Sequence, residues 1–398
     1  MTADVDRRAP RLMPAKERPG WVAMRDLVAC TGPGEQAEQD LVVLILARNE
    51  GGVLENTLSN LVPCLGDPAC IHVVVDHCVD STAGIARKAG VTLHLRSHGR
   101  MQGKGAAMDW WVQRTKGTMP ADQIIIVLDA DSVVSDGYFE RVRWRFFQGA
   151  EALQTIVSPR VRSGSPISRM AALSEIVDQR VNDKIRARLG WSVRLRGTGM
   201  AFRRHILESF SPLLRTTTED IELSLLLARH GVRVFHEEDV FVWDPKPEHA
   251  QPAIRQRARW LRGQYQVLRS YPAEIVRIAL SGWGGLTLLG SLLLRPRSLI
   301  FPFQMLAALI GLLVGLREGM NALWLLASSL AALPLAFYAF SLLYGLRFIP
   351  DRGATLWALA KAPVYILLWI RTVALALVTD SDWLRSRPIV MDSIPNEP

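Results

Sequence analysis

Two aspartates separated by one residue, Asp129-Ala130-Asp131, follow directly on the apolar run Ile124 to Leu128. If that run is a buried strand, both carboxylates stand at its carboxyl end, where paired hard oxygen donors suit Mg2+ or Mn2+ bridging a diphosphate. The competing reading is a solvated loop. A second acidic stretch, Asp76-His77-Cys78-Val79-Asp80, follows the apolar run Ile71 to Val75. It would lie at the same edge, so the two stretches together describe one nucleotide pocket. His72 and His77 receive no assignment, since a lone histidine beside a strand packs or hydrogen-bonds more often than it binds metal.

Three further segments carry chemistry. Gly99 through Gly105 reads GxxxGKG, which fails as a phosphate-cradling P-loop: the first glycine is one residue too close, and Gly105 replaces the hydroxyl that holds Mg2+. Gly103-Lys104-Gly105 can still bring a cation and bare backbone to a phosphate or base, or form a plain loop before a helix. Thr218-Glu219-Asp220 precedes a helical stretch. One of the three could simply cap that helix, with the acids favouring its dipole, or a carboxylate there could take a proton from an acceptor hydroxyl. Gln256, Arg259, Trp260 and Gly263 recur at i, i+3, i+4 and i+7, one face of a helix. An indole, a guanidinium and an amide on that face form either a stacking surface with donors for a sugar or diphosphate, or an interfacial Trp/Arg belt.

The elements that must position these groups follow from periodicity. Leu41 to Ala47, Ile71 to Val75 and Ile124 to Leu128 are continuous apolar runs with polar residues after them, the pattern of parallel strands buried on both faces. Val53, Leu54, Leu58 and Leu61 place a helix after the first strand. Ala83 to Ala89 and Ala106 to Thr115 predict two more helices, with Val91 to Leu95 a strand between them. This βαβ alternation is the mark of a doubly wound α/β sheet, which binds ligands beyond the carboxyl ends of its strands. Farther on, a helix over Ile221 to His230 and a short strand over Val232 to His236 are expected. The Pro-rich Asp244 to Pro247 reads as a boundary.

The 398 residues carry a net charge of +9, 49% hydrophobic and 21% charged residues, with a mean hydropathy of +0.13. The length suits two or three domains. The apolar residues are pooled: Ser298 to Leu346 contains only Arg317 and Glu318 as charged residues. Leu299 to Leu316 and Asn321 to Leu346 would extend about 27 and 39 Å as helices, against a hydrocarbon core of about 30 Å. Two membrane spans are expected there. Ahead of them, Ile254, Ala258, Leu261, Tyr265 and Leu268 form a helical stripe, and Arg255, Arg257, Arg259, Arg262 and Arg269 crowd the same segment. That arrangement suits an amphipathic helix against anionic headgroups. No nucleic-acid-binding pattern accompanies the positive charge, and nucleic acid is excluded as a partner. Four cysteines without metal-ligand spacing predict a reducing compartment. The leader lacks the apolar run of a signal peptide, which keeps the catalytic domain on the cytoplasmic side.

In this order, Ala47-Arg48-Asn49-Glu50, Val73 to Thr82, Gly103-Lys104-Gly105, Asp129-Ala130-Asp131, Gly197-Thr198-Gly199-Met200, Thr218-Glu219-Asp220 and Gln256 to Trp260 (QxxRW) resemble the inverting family 2 glycosyltransferases. The resemblance is to the membrane-bound branch related to cellulose, hyaluronan and poly-N-acetylglucosamine synthases, and it runs from about Leu41 to Tyr271. It implies a GT-A-type doubly wound, Rossmann-like sheet over residues 41–250, behind a polar leader (1–40). Amphipathic interface helices (251–297), a transmembrane region (298–380) and a polar tail (381–398) would follow.

By the same resemblance, Asp76 and Asp129 would hold the nucleoside of a nucleotide sugar, with Glu50 and Lys104 nearby. Asp131 would hold Mg2+ or Mn2+. Asp220 would be the base that activates the acceptor hydroxyl. Gly199, Glu219, Gln256, Arg259 and Trp260 would serve the acceptor and the leaving diphosphate. The implied activity is transfer from a UDP-sugar to a lipid-linked or growing glycan at the cytoplasmic membrane, by a multi-pass protein working with membrane lipids and polysaccharide-assembly proteins. The alternatives are a polyprenyl-phosphate sugar transferase, for which QxxRW is the wrong motif, and a non-catalytic nucleotide-sensing membrane protein.

Overall fold

Leu41–Ala47 (β1) is buried at every residue, because its two faces meet different layers. Leu41, Val43 and Ile45 pack with Leu54 and Leu58, while Val42, Leu44 and Leu46 pack with Met108, Trp111 and Phe202. A run covered on both sides has no reason to alternate with polar residues. The computed structural model describes residues 40–98, 103–160, 165–247, 249–294, 297–318, 322–349 and 351–378. The expected leader (1–40) and polar tail (381–398) lie outside these apart from Asp40, as do Gly99 to Gln102.

From β1 the chain runs through α1 (Leu54–Leu65), β2 (Ile71–Asp76), α2 (Thr82–Lys88), β3 (Thr92–Arg96), α3 (Lys104–Arg114), β4 (Ile124–Leu128), β5 (Val133–Val134) and α4 (Tyr138–Phe147). It continues through β6 (Ala152–Arg160), α5 (Pro166–Val177), a π-helical stretch Asp178–Asp183, α6 (Lys184–Arg188), β7 (Met200–Arg203), α7 (Arg204–Phe210), α8 (Glu219–Arg229) and β8 (Val234–Pro245). The eight strands form one sheet in the order β3-β2-β1-β4-β7-β6-β8-β5. β3, β2, β1 and β4 are mutually parallel. β7 runs antiparallel to both its neighbours and β5 antiparallel to β8, so the sheet is mixed rather than uniformly doubly wound. The strand order reverses at β1, which places a ligand crevice beyond the ends of β1, β2 and β4.

One strand was misjudged from the sequence. Val232 to His236 is only the start of β8, whose far half pairs with β6 as far as Arg160 opposite Pro245. The register slips between Thr155 and Ile156, bulging out Glu238, Asp239 and Val240. This polar interruption hides the strand's continuation. The bulge is flanked by ion pairs of buried Glu237 Oε2 with Arg141 Nε at 2.9 Å and Arg145 Nε at 2.7 Å. Asp244 and Pro245 of the Pro-rich segment thus belong to β8.

Beyond the sheet come α9 (Ala250–Ser270), α10 (Pro272–Leu280), α11 (Trp283–Leu293), α12 (Arg297–Glu318), α13 (Ala322–Gly345), α14 (Arg352–Ala360) and α15 (Ala362–Val378). Helices do cover the two long apolar runs. Among the described residues, however, no helix is long and apolar enough to cross a membrane, and the expected pair of spans is not supported. The late helices fold back on the earlier ones: α13 reaches α5 so closely that a Cβ on Gly345 would lie 2.7 Å from Val177 Cγ2, and α15 lies along α9. Apolar surface is nonetheless left open, with Leu306, Leu313 and Leu316 on α12 and Leu333, Phe340 and Leu343 on α13 exposed.

β6 outruns β7, which pairs only with its first three residues. Beyond them the edge is closed by a side chain, since Gln179 Oε1 accepts from Val157 N–H and Gln179 Nε2 donates to Val157 C=O, both at 2.7 Å. Gln179 is 1% exposed. Gln179→Leu strands a buried donor and a buried acceptor, and is expected to lower stability by about 2–4 kcal/mol, read as a fall in unfolding temperature.

Candidate active site

The crevice begins at the ends of β1 and β2. Asp76 closes β2 with 3% exposure, and its Oδ1 takes the buried Arg96 guanidinium and His77 Nδ1, the latter at 2.7 Å. Among the described residues, the two non-glycine residues with left-handed backbone, Asn49 (φ 55) and His77 (φ 50), stand at these two strand ends. Such conformations persist only where the surroundings enforce them. Here Asn49 N–H donates to Cys78 Sγ at 3.0 Å, and Asn49 Oδ1 accepts from Val79 N–H at 2.8 Å, lacing the two turns together. Asp80 serves the same loop by accepting from Gly51 N–H and from Thr82. It is a clasp and not a second site carboxylate. His72 lies away from the crevice between His94 and Trp111, accepting from Trp111 Nε1 at 3.1 Å.

Lys104 opens α3, directly after Gly103 in its left-handed conformation (φ 86), and its ammonium contacts Asp129 Oδ1. Burial alone would lower this ammonium, but Asp129 and Glu219 outweigh it and hold it above the usual lysine range. The loop carrying Asp129 and Asp131 is fixed by backbone bonds: Asp129 N–H donates to Thr198 Oγ1 at 3.1 Å, and Thr57 Oγ1 donates to Ala130 C=O at 2.8 Å. Asp131 is pushed up to about 8, first by burial and then by Asp129, Asp244 and Glu50, with Lys104 opposing. Four carboxylates thus share too little positive charge. Among the described residues no three metal-binding side chains stand close enough to enclose an ion alone. The set suits a divalent cation that completes its coordination with oxygens of a bound diphosphate.

Glu219 and Asp220 form the first turn of α8. Thr218 occupies the cap position but makes no side-chain capping bond, so the acids are not simply capping partners. Both carboxyls lie above the ordinary range. Glu219, 6% exposed, is pushed to about 7 by burial and then by Asp220. Asp220 is raised by burial, against the pull of Arg194, Lys104 and Arg259. Gly197 (φ 82) presents bare backbone to them: a Cβ there would lie 3.7 Å from Glu219 Oε1 and 4.0 Å from Asp220 Oδ2. Gly199, the glycine expected at this border, is turned into the sheet, where a Cβ would strike Thr155 Oγ1 at 2.5 Å.

The helix bearing QxxRW is stitched to the loop before Asp220. A Cβ on Gly263 would lie 2.2 Å from Thr218 Cγ2, Thr217 N–H and Oγ1 each donate to Gln266 Oε1 at 3.0 Å, and Tyr271 OH donates to Glu222 Oε1 at 2.5 Å. This docking turns Arg259 toward Lys104, Glu219 and Asp220. Gln256 and Trp260, the latter 37% exposed, line a neighbouring cavity instead. The arginine crowd divides as well. Arg257 stacks 5.2 Å over the Trp369 ring and Arg262 donates to Ala376 C=O, while Arg255 and Arg269 are exposed.

Residues 38–263, more than half of the chain, match the model of the family described as glycosyltransferase like family 2. The chain belongs to that family. Among solved structures, a mannosyltransferase of Pyrobaculum calidifontis, PcManGT, solved with GDP-Man and Mn2+, shares the fold at a TM-score of 0.51 and 18% identity, over 86% of this chain and 88% of that one. Glucosyl-3-phosphoglycerate synthase of Mycobacterium tuberculosis overlaps at a TM-score of 0.38 and 18% identity, covering 56% of this chain and 76% of its own.

Within this glycosyltransferase Glu50, Lys104, Asp129, Asp131, Glu219, Asp220 and Arg259, from five separate segments, act on one another electrostatically, while Asp76 stands at the end of β2 paired with Arg96 and His77. Four contributors escaped the sequence reading. Arg96 ends an unremarkable strand, Arg194 lies in a segment without regular structure, Asp244 was assigned to a boundary, and Glu222 received no reading. Only Asp244 left a trace, as an acid at the end of an apolar stretch. Gly263→Ala would force α9 off Thr218, an overpacking cost of about 1–3 kcal/mol. It is expected to depress donor turnover more than nucleotide affinity, as read by nucleoside-diphosphate release and by titration of the free nucleotide.

Proposed function

We propose that this glycosyltransferase moves a hexosyl group from a nucleotide sugar, UDP-linked by the resemblance of its motifs, to an acceptor hydroxyl with inversion at the anomeric carbon. The observation that carries the reading is the buried Glu219–Asp220 pair beside bare Gly197, within the field of Lys104, Arg194 and Arg259. A carboxylate raised toward neutrality can accept a proton from a hydroxyl, and the missing Cβ leaves room for the ring that bears it. Asp220 acts as the base. Asp76 and Asp129, with Glu50, hold the nucleoside end, and Asp131 is the residue that would hold Mg2+ or Mn2+. A bound divalent ion would supply neutralisation of the diphosphate. Lys104 and Arg259 stabilise the charge that develops on the departing diphosphate, and Glu219 keeps Lys104 and Asp220 in register.

The acceptor is a lipid-linked or growing glycan at the cytoplasmic membrane, in the assembly of a cell-surface polysaccharide. The apolar residues left open on α12 and α13 favour seating in lipid, with the sheet on the cytoplasmic side, since an apolar surface of this kind is stabilised by an apolar neighbour. Retention of the protein in the membrane pellet after an alkaline carbonate wash is the expected outcome, and release as soluble protein would remove this part of the reading.

Transfer is tested by nucleoside-diphosphate release from a donor panel that includes UDP-sugars and GDP-mannose, the latter because PcManGT was solved with it. Asp220→Asn is expected to keep nucleotide affinity and lose turnover by about 10²–10⁴-fold. Turnover near that of the parent would displace Asp220 as the base. The pH dependence follows from the raised pair: Asp220, held above the ordinary aspartate range by burial, must be ionised to act, so kcat/KM should fall on the acid side at a higher pH than an ordinary aspartate would give. Glu219→Gln, by removing the neighbouring negative charge, should move that acid limb to lower pH.

A further inference from the structure

The turn after β2 carries a histidine that the transfer itself does not use. His77 has a left-handed backbone (φ 50), a conformation that a non-glycine residue keeps only where its surroundings impose it. Here they do. Its N–H donates to Arg96 C=O at 2.8 Å, next to the pairing of Asp76 with Arg96 that ends β2 and β3. Cys78 Sγ takes Asn49 N–H at 3.0 Å, and Val79 N–H donates to Asn49 Oδ1 at 2.8 Å. The histidine therefore stands between two clamped strand ends, at the edge of the sheet where a fold of this kind binds its ligand.

The ring is oriented as firmly as the backbone. His77 Nδ1 lies 2.7 Å from Asp76 Oδ1, and the same oxygen takes the buried Arg96 guanidinium. A carboxylate that already answers a guanidinium has only lone pairs to offer, so the hydrogen of this bond sits on Nδ1, and the neutral ring is left with Nε2 as an acceptor. Among the described residues nothing bonds to Nε2, and the side chain is 18% exposed.

We infer, on the nucleotide-sugar reading proposed above, that His77 Nε2 is the acceptor that recognises the ring N–H of the donor's nucleobase, with Asp76 as the residue that positions it. An imidazole lone pair lies in the plane of its ring and points one way, and so does the imino N–H of uracil (N3) or guanine (N1). A fixed acceptor meeting a fixed donor leaves little to be ordered on binding. Cytosine and adenine present a lone pair at the corresponding ring nitrogen, and two acceptors facing each other leave both unpaired. A ribose hydroxyl can turn its hydrogen toward any acceptor nearby and would draw nothing from a ring held so rigidly.

The test measures binding of nucleoside diphosphates to the full-length protein with Mn2+ at about pH 8, where an ordinary histidine is neutral. The probes are UDP, GDP, CDP and ADP, together with 3-methyl-UDP, 1-methyl-GDP and the 2′-deoxy forms of UDP and GDP. Whichever of UDP and GDP binds better is expected to lose about tenfold or more in affinity when its ring nitrogen is methylated, with CDP and ADP as weak as the methylated form. His77→Gly suits the left-handed backbone and removes the acceptor, so the ratio between the nucleotide and its methylated form should collapse toward unity. A histidine that only braced the turn would weaken both forms alike and keep the ratio. An unchanged ratio in His77→Gly would assign the base to Asp76 and overturn the inference, as would equal binding of the two forms by the parent protein, or a penalty on removing the 2′-hydroxyl in place of one on methylation. Release of nucleoside diphosphate from the matching sugar donors, followed in parallel, separates this from the transferase reading. Turnover by a protein indifferent to methylation removes the role of His77 and leaves the transferase, whereas methylation-sensitive binding without turnover of any donor leaves the base recognition and removes the transferase. If no nucleotide binds, both fall.

Discussion

The catalytic arrangement depends on one buried carboxylate that touches no substrate. Glu222, 0% exposed, accepts from the backbone N–H groups of Arg215 and Thr216, from Thr216 Oγ1 and from Tyr271 OH, all within 3.0 Å. These bonds tie together the loop before α8, the first turn that carries Glu219 and Asp220, and the far end of α9. Hydrogen bonds are stronger in a low-dielectric interior than in water, and four donors satisfy this acceptor. Gly263 completes the joint by letting α9 touch Thr218. Arg259 and Asp220 come from segments nearly forty residues apart, yet they meet because this joint has a single way to close.

Around it the electrostatics are deliberately short of positive charge. Asp129, Asp131, Asp244 and Glu50 crowd one side of Lys104, and Glu219 and Asp220 the other. One ammonium is shared by the nucleotide end and the base end. Burial first, and then the neighbouring carboxylates Asp129 and Asp220, hold Asp131 and Glu219 far above ordinary carboxylates. The shared ammonium also couples the two ends electrostatically, since Lys104 acts on both Asp131 and Glu219.

The C-terminal helices do more than add apolar mass. By folding back on α5 and α9 they cover part of their own apolar surface against the sheet domain, and in doing so enclose a cavity that no single segment could form. Gly345 sets the approach of α13 to α5, as Gly263 sets that of α9 to Thr218. In both cases the absence of a side chain fixes the distance between two helices.

The parallel half of the sheet was legible in the chain because Leu41 to Ala47, Ile71 to Val75 and Ile124 to Leu128 are buried on both faces, and burial on both faces needs no partner-specific pattern. The acids after those strands, Asp76, Asp129 and Asp131, were legible for the same reason: a polar residue that ends such a run must stand at the sheet's edge. The second half of β8 was not, since its bulge at Glu238 to Val240 breaks the alternation, and the arginines that flank the bulge come from α4. Nor could the sequence say that Gly197 rather than Gly199 faces the carboxylates, that Gln256 and Trp260 part company with Arg259, or that Glu222 is a hub instead of a surface acid. Local periodicity and residue type determine which face and which edge a group occupies. Which distant groups then share a dielectric, a proton or a cavity is decided only when helices from opposite ends of the chain come into contact.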